Sequence, residues 1–408
     1  MIPFASLARE CLEETDRLVR TYGPRLAGSD ASAAVARELA EDLRGFCDHV
    51  RAEEFEAHPG SFYAYTKLLP VVYVLGILSL FVIHGLYLAP ILGIVAGIAL
   101  MCSQFWFYGH LGDRLFPRRS CINVDGVIEP EGKAELELII AGHHDSAPIA
   151  RIFSGPFQRF YAVAIFAPYV FYSLELGLLL ALISGRIESL PPWGGPILLA
   201  GLPFVIGYFF LVDTQRGSPG AGDNLIASVL IVRMARELAA RKGELLRRTR
   251  VRVLSFDAEE AGLRGSAAYM RTHRSELKEL PVFMLNFDSL YSAQHLHVLL
   301  SDVNGTVRLS RDMAEDVAEC LNGDGHEPRL FSLIFGAGGT DAAEAARVGI
   351  KATTVIAIST AIIREGLVYH TPRDTVEAIE VEVVEACLRL IARYLERLEA
   401  GQARGLHN

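Results

Sequence analysis

Charge is scarce in this chain. Only 21% of its 408 residues are Asp, Glu, Lys or Arg, where a soluble enzyme carries about a quarter, and the mean hydropathy is positive (+0.28). Part of the chain is therefore expected to lie in lipid. Positive charge is scarcer still: 39 Lys and Arg against 48 Asp and Glu give a formal net charge of −9, which argues against the basic face of a nucleic-acid binder. Cysteine is limited to six residues, at 11, 47, 102, 121, 320 and 387. None forms a CxxC pair or stands near a histidine at zinc-finger spacing, so neither a disulfide framework nor a structural zinc is expected. The opening MIPFASLARECLEETDRLVR lacks the basic-then-apolar pattern of a secretory leader. Both absences point to an active domain in the cytosol.

Long apolar runs, by contrast, are present. Residues 68–83, 86–108, 160–184 and 193–212 read as four transmembrane helices, since crossing a bilayer takes ~20 mainly apolar residues at 1.5 Å each. Tyr73, Tyr87, Trp106, Tyr108, Tyr161 and Trp193 fall mostly near run ends, as interfacial aromatics do. Four crossings place all the polar segments on one side. On that side, near the helix ends, stand Lys67, Arg114, Arg118, Arg119, Arg151, Arg159 and Arg216, whereas the opposite hairpin tips carry only Arg186. Positive charge stays cytoplasmic, so a multi-pass integral membrane protein with a cytoplasmic polar domain is expected. Hairpins at 67–109 and 159–213 would then interrupt a domain made of residues 1–66, 110–158 and 214–408. Glu175, inside the third run, marks a functional site unless it is protonated or paired with a neighbouring helix.

The polar part alternates strands and helices. Residues 5–20 and 31–47 have helical periodicity and are joined by a Gly/Pro turn ending in a Ser/Asp cap. Residues 49–57 alternate as a strand does. Strands are read at 120–130, 134–146, 251–260, 281–290 and 351–359, and helices at 223–242, 261–273, 340–349 and 375–400. This order predicts an α/β domain with a mixed, mostly parallel sheet and helices on both faces. Ligands bind such sheets at the carboxyl ends of the strands. Here those ends read HHDS, DAEE and NFDS.

Those ends, with the start of the 223–242 helix and a late histidine, supply His143, Asp145, Asp223, Glu259, Glu260, Asp288 and His370. Taken singly each is ordinary: an Asp opening a helix is usually an N-cap, and a Glu-Glu pair is usually a solvated surface. Together they offer imidazole nitrogen and carboxylate oxygen, the donors zinc takes. Clustered carboxylates repel strongly unless a cation fills them. The adjacent Glu259 and Glu260, at a strand end, would point different ways and supply one ligand and one free base.

The ordered set GPRLAGS, GHHDS, PGAGDN, FDAEEAGLRGS, LNFDS and YHTPRDT resembles the M28 family of two-zinc peptidases, and spans nearly all the chain outside the apolar runs. The resemblance implies a zinc-exopeptidase-like fold and two Zn2+, replaceable by Co2+ or Mn2+. It implies His143 and Asp288 on one metal, Glu260 and His370 on the other, and Asp223 bridging them. Glu259 would be the general base, Asp145 would hold the imidazole of His143, and Tyr369 would steady the tetrahedral intermediate. The expected substrate is a peptide, with a glutaminyl-cyclase-like acyl transfer or a non-catalytic receptor as alternatives. Two departures stand out. Gly222 replaces an acid usual in the family, and Thr340-Asp341-Ala342 lacks its histidine, which leaves Asp341 either to line the pocket or, as the safer reading, to cap the helix that follows. Asp145 stands 15 residues before the third run and Asp223 11 after the fourth. At ~3.3 Å per residue neither is further than ~50 Å from the bilayer, so membrane-associated or hydrophobic peptides are the expected partners, together with the bilayer itself.

Overall fold

The computed structural model describes residues 2–153, 160–334, 336–359 and 367–404; Arg159, counted above among the basic residues, lies outside them. Two amphipathic helices open the chain, α1 (Phe4–Tyr22) and α2 (Asp30–Arg44). The Ser29 hydroxyl accepts the Ser32 N–H at 3.1 Å and caps α2, satisfying one of the N–H groups a helix start leaves free. β1 (His49–Ala57) follows, then the apolar pair α3 (Tyr65–Phe81) and α4 (Leu88–Met101). After β2 (Arg119–Ile128) and β3 (Leu136–His143), a short ribbon of β4 (Pro148–Ala150) and β5 (Val212–Gly217) brackets the second apolar pair, α5 (Tyr161–Ile183) and α6 (Gly194–Phe209).

The rest of the chain completes the α/β domain. It runs α7 (Ile226–Ala240), the single turn α8 (Lys242–Leu245), β6 (Thr249–Phe256), α9 (Arg264–Thr272) and β7 (Val282–Leu290). A stretch without a sequence assignment then forms β8 (Leu296–Asp302), β9 (Val307–Arg308), α10 (Arg311–Gly323) and β10 (Arg329–Ser332). Finally come α11 (Ala342–Arg347), β11 (Lys351–Ala357) and α12 (Val381–Glu399). Among the described residues the sheet has nine strands, in the order β1-β2-β6-β3-β7-β11-β8-β10 with β9 beside β8. Its central four, β6-β3-β7-β11, are parallel to one another, and the flanks are mixed.

Both sheet faces are buried, as parallel strands require. Along β3, Leu138 and Ile140 join a core with α1, α2, α7 and α12, whereas Ile139 and Ala141 pack with α9 and α11 on the other face.

The four apolar helices form a separate cluster around Leu69, Tyr73, Ile94, Tyr172, Leu179, Leu198 and Val205. Helices approach closely at glycines: a Cβ on Gly97 would lie 2.5 Å from Leu69, and one on Gly201 2.5 Å from Phe171. Their outer faces leave Val71, Leu75, Leu92, Val95, Val170 and Leu199 exposed. Among the described residues two helices are long and apolar enough to cross a bilayer, Leu88–Trp106 (α4 with its π-helical continuation) and Val163–Ile183, while α3 and α6 have 17 and 16 residues. The expectation of four full-length spans is corrected to that extent. Its physical reason lies at the run ends. Val82 and Ile83 fall beyond the end of α3, and Val212 pairs with Ala150 as the first residue of β5.

The aromatics differ from expectation too. Tyr73 is buried mid-helix, its hydroxyl donating to the Leu198 carbonyl at 2.8 Å. Tyr108 turns back with φ 51° and packs in a cluster with Phe62, Leu263 and Val303. Glu175 is buried among the helices, and neither of its carboxylate oxygens has a hydrogen-bond partner among the described residues. Among the described residues it thus makes no hydrogen bond to a neighbouring helix. A Cβ on Gly76 would lie 2.4 Å from its Oε1.

Candidate metal centre

The carboxyl ends of the parallel strands converge on one polar cluster. His143 is the last residue of β3 and Asp288 lies in the last turn-ward half of β7. Asp223 sits in the irregular turn Ala221–Leu225 before α7, in a non-helical conformation. Its side chain caps nothing and points into the site.

Asp223 presents one carboxylate oxygen to each of two imidazoles. Its Oδ1 is 3.5 Å from His143 Nε2, and its Oδ2 is 3.1 Å from His370 Nε2. Around the first imidazole stand Glu259 Oε2 at 3.7 Å and Asp288 Oδ2 at 3.9 Å; beside the second stands Glu260 Oε1 at 3.1 Å. The donor atoms of His143, Asp223 and Glu260 lie within 4.8 Å of one another, as do those of His143, Glu259 and Asp288. His143 Nε2, His370 Nε2, Asp223 Oδ2 and Glu260 Oε1 are buried atoms with no hydrogen-bond partner among the described residues. Orphaned donors of this kind are costly unless something coordinates them, and a bound metal fits the set.

Asp145 organises the cluster from behind. Its carboxylate accepts the backbone N–H of Glu259 at 3.1 Å and of Glu260 at 3.2 Å. His143 Nδ1 lies 3.2 Å from the Asp145 carbonyl and 3.3 Å from its Oδ1, which leaves Nε2 facing the cavity. Glu259 and Glu260 themselves lie in a tight turn beyond β6, entered through Ala258 at φ 58°. Turn geometry, rather than strand alternation, therefore separates their side chains. Tyr369 stacks on the His370 ring with centroids 3.6 Å apart. His144 turns away, its Nδ1 2.8 Å from Ser255 Oγ.

The electrostatics follow from crowding acids in a buried space. Burial pushes Glu259 well above the carboxylate range; His143 opposes this, and Glu260 and Asp288 add to it. Glu260 is raised to about 7, by burial first. Burial raises Asp223 too, but the two imidazoles facing it outweigh that and hold it below the usual carboxylate range. Burial lowers His370, but the Glu260 and Asp223 carboxylates bring it up to about 10.

Three supporting residues escaped the sequence reading. Arg25, in GPRLAGS, is fully buried and donates to the carbonyls of His144 (2.7 Å), Pro219 (2.9 Å) and Gly220 (2.7 Å), tying the His143 loop to the Asp223 loop. Arg264 donates to Gly262 O at 2.7 Å, Gln104 Oε1 at 2.6 Å and Gly109 O at 2.8 Å, joining the end of the first apolar pair to the Glu259–Glu260 turn. Asp374 accepts the Gly222 N–H at 2.8 Å. Gly222 itself explains one departure: a Cβ there would lie 2.2 Å from the Tyr291 ring, so the acid usual in the family has no room. Asp341 does not cap α11. It is buried, and its charge adds to the acids around His143.

Residues 212–395 match the model of peptidase family M28. The matched stretch carries Asp223, Glu259, Glu260, Asp288 and His370, while His143 and Asp145 precede it. No curated protein sequence matches the chain. Among solved structures, the fold is similar to a zinc aminopeptidase from Bacillus subtilis (15% identity, TM-score 0.57, covering 96% of this chain and 95% of that one). It is also similar to a Zn-dependent exopeptidase from Parabacteroides distasonis (12%, 0.55, 95% and 97%) and to a glutaminyl cyclase from Bacteroides thetaiotaomicron (13%, 0.55, 96% and 97%). At these identities the likeness establishes the α/β zinc-exopeptidase fold.

Proposed function

We propose that this protein is a membrane-anchored two-zinc exopeptidase of the aminopeptidase type. The observation that carries the reading is the Asp223 carboxylate, one oxygen toward His143 and the other toward His370. His143 and Asp288 would hold one zinc, Glu260 and His370 the other, with Asp223 between. The metals, when bound, supply an acidified water and polarise the scissile carbonyl.

The chain's own groups do the rest. Asp145 holds the His143 ring through Nδ1 and the Glu259–Glu260 turn through its two amides. Glu259 takes the proton of the attacking water and delivers it to the departing amine, the general acid–base role its environment suits. Tyr369, stacked on His370, is the side chain we assign to steadying the tetrahedral intermediate. A peptide-library digest with and without chelator, read by mass spectrometry, tests the reaction. Chelator-sensitive release of terminal residues supports it; metal uptake without cleavage of any peptide would leave a receptor or scaffold.

A glutaminyl cyclase is the second reading, favoured by the fold similarity to such enzymes. One metal per chain and cyclisation of a glutaminyl peptide would establish it instead.

The four apolar helices are read as two membrane hairpins, 67–109 and 159–213, inserted in a peptidase domain formed by 1–66, 110–158 and 214–408. Exposed Val, Leu and Phe around the bundle support immersion in lipid, and α3 and α6, being short, would cross near-perpendicular or with local thinning. Lys67, Arg114, Arg118, Arg151 and Arg216 favour a cytoplasmic domain. Both hairpins are rooted beside the site. Arg264, beside the Glu259–Glu260 turn, donates to Gln104 Oε1 and Gly109 O at the end of the first, and the Ala150 N–H at the foot of the second donates to the His370 carbonyl. Membrane-associated or hydrophobic peptides are the substrates this arrangement suits.

A further inference from the structure

A second cavity lies away from the metal centre, where the first apolar pair meets the α/β domain. It has a volume of about 1030 Å3, at the upper end of the ~300–1,000 Å3 typical of ligand pockets. None of the seven residues of the metal centre lines it. One wall is apolar: Leu68 in the first turn of α3 and Ala96, Ala99 and Leu100 in the last turns of α4. The opposite wall is α9, through Arg264, Ala267, Ala268 and Arg271, and the rim carries Leu111, Arg114 and Leu115. Leu111 and Leu115 are 55% and 85% exposed.

The charges lining this cavity are unevenly satisfied. Glu56 is paired with Arg118 at 2.7 Å. Asp113 accepts hydrogen bonds from Ser61 and Gln104 and faces His110 and Arg264. His58 Nδ1 lies 2.8 Å from the Phe116 carbonyl. Arg264 is occupied by the carbonyls of Gly262 and Gly109. Arg114 and Arg271, by contrast, make no ion pair or side-chain hydrogen bond among the described residues. Two uncompensated guanidiniums therefore stand at the mouth of a space whose other side is the end of an apolar helix pair. A guanidinium is a preferred partner of phosphate; both are exposed, and basic side chains next to an apolar helix pair attract anionic lipid.

We propose that this cavity binds an anionic phospholipid, its phosphate on Arg114 and Arg271 and the start of an acyl chain against Leu68, Ala96, Ala99 and Leu100. The proposal rests on the membrane reading above. Lipid in this cavity touches α9, whose first residue, Arg264, holds the Glu259–Glu260 turn, so the bound lipid abuts the element that supports the catalytic loop.

The test uses the full chain, delipidated in detergent and incubated with mixed micelles containing equal phosphatidylglycerol and phosphatidylcholine; retained lipid is measured by mass spectrometry. Near-stoichiometric phosphatidylglycerol is expected, in preference to phosphatidylcholine. The double variant Arg114→Gln, Arg271→Gln should retain at least about tenfold less phosphatidylglycerol with unchanged phosphatidylcholine and zinc content. Ala268→Trp, which fills the cavity without touching charge, should lower retention as well. Arg20→Gln, on α1, is the control for general charge. Equal retention of the two lipids, or a loss in the double variant no greater than in Arg20→Gln, overturns the proposal. Displacement of all bound lipid by millimolar inorganic phosphate would make this a free phosphate site and overturn it too. An alkaline carbonate wash separates the two levels. A chain released from membranes by the wash refutes the membrane reading, whereas one that stays in the pellet without lipid preference refutes only the cavity assignment.

Discussion

The backbone N–H of Ala150 donates to the carbonyl of His370 at 2.9 Å. Ala150 pairs with Val212 across the ribbon that closes the second apolar hairpin, and the next residue, Arg151, donates its N–H to Leu211 at 2.9 Å. The foot of that hairpin is thus one hydrogen bond from a proposed zinc ligand whose own backbone is held at φ 56°. Ala150→Pro removes the donor. Zinc affinity should fall about 10–100-fold, as when an outer partner of a ligand is lost, measured by competition with a calibrated chelator. Unchanged affinity would mean that the hairpin foot does not position His370.

In the proposed site Glu259, 3.7 Å from His143 Nε2, acts as the base and not as a ligand. Glu259→Gln should lower kcat by about 10²–10⁴-fold while zinc content, measured by atomic absorption, stays at the parent level. Parent-rate hydrolysis by this variant would remove Glu259 from the role of base.

Metal uptake should release protons. In the metal-free site His370 is held up to about 10, with burial opposing and the Glu260 and Asp223 carboxylates prevailing, and Glu260 is raised to about 7, chiefly by burial. Near neutral pH the imidazole therefore carries its proton and Glu260 is partly protonated, whereas metal takes the neutral imidazole and the carboxylate. Affinity should rise with pH between about 6 and 8, and the calorimetric heat of zinc binding should vary with the ionisation enthalpy of the buffer. Heats that are the same in every buffer would contradict this.

Stability rests in part on Arg252, whose guanidinium is buried in β6 between Asp125 at 2.9 Å, Glu137 and Glu276 at 2.6 Å. Arg252→Met leaves Asp125 and Glu137 buried without their cation and should cost ~3–5 kcal/mol, read from denaturant unfolding in detergent. Glu276 sets a pH signature. Burial raises its pKa, but Arg252 and its other partners bring it down to about 2 from 4.5. A depressed carboxyl contributes stability that is present above the unfolded value and lost as pH falls through the folded one. Glu276→Gln should therefore flatten the loss of stability between about pH 4.5 and 2, and an acid limb as steep as the parent's would exclude that contribution.

The donor set was legible because buried strand ends rarely collect His, Asp and Glu together, and the structure brings His143, Asp223, Glu259, Glu260, Asp288 and His370 to one place. The sheet was legible for the same kind of reason: runs such as 281–290 are apolar on both faces. Less was readable where tertiary contacts decide. Apolar runs do not reveal where a helix ends: Val212 continues such a run yet begins a strand, and Tyr108 closes one yet turns into the domain. Arg25 and Arg264 look like surface charges until the carbonyls they bind are known. Gly222 reads as a lost acid until Tyr291 is seen beneath it. The 296–332 stretch has short strands whose partners are distant in sequence, and local pattern carries little of that information.

Of the proposed donors, only His143 and its supporter Asp145 precede α5; Asp223, Glu260, Asp288 and His370 all follow α6. During synthesis both hairpins leave the ribosome before the last four ligands exist. On the reading proposed above, a nascent chain enters the bilayer while still unable to hold its cations, and hydrolytic competence arises only after insertion.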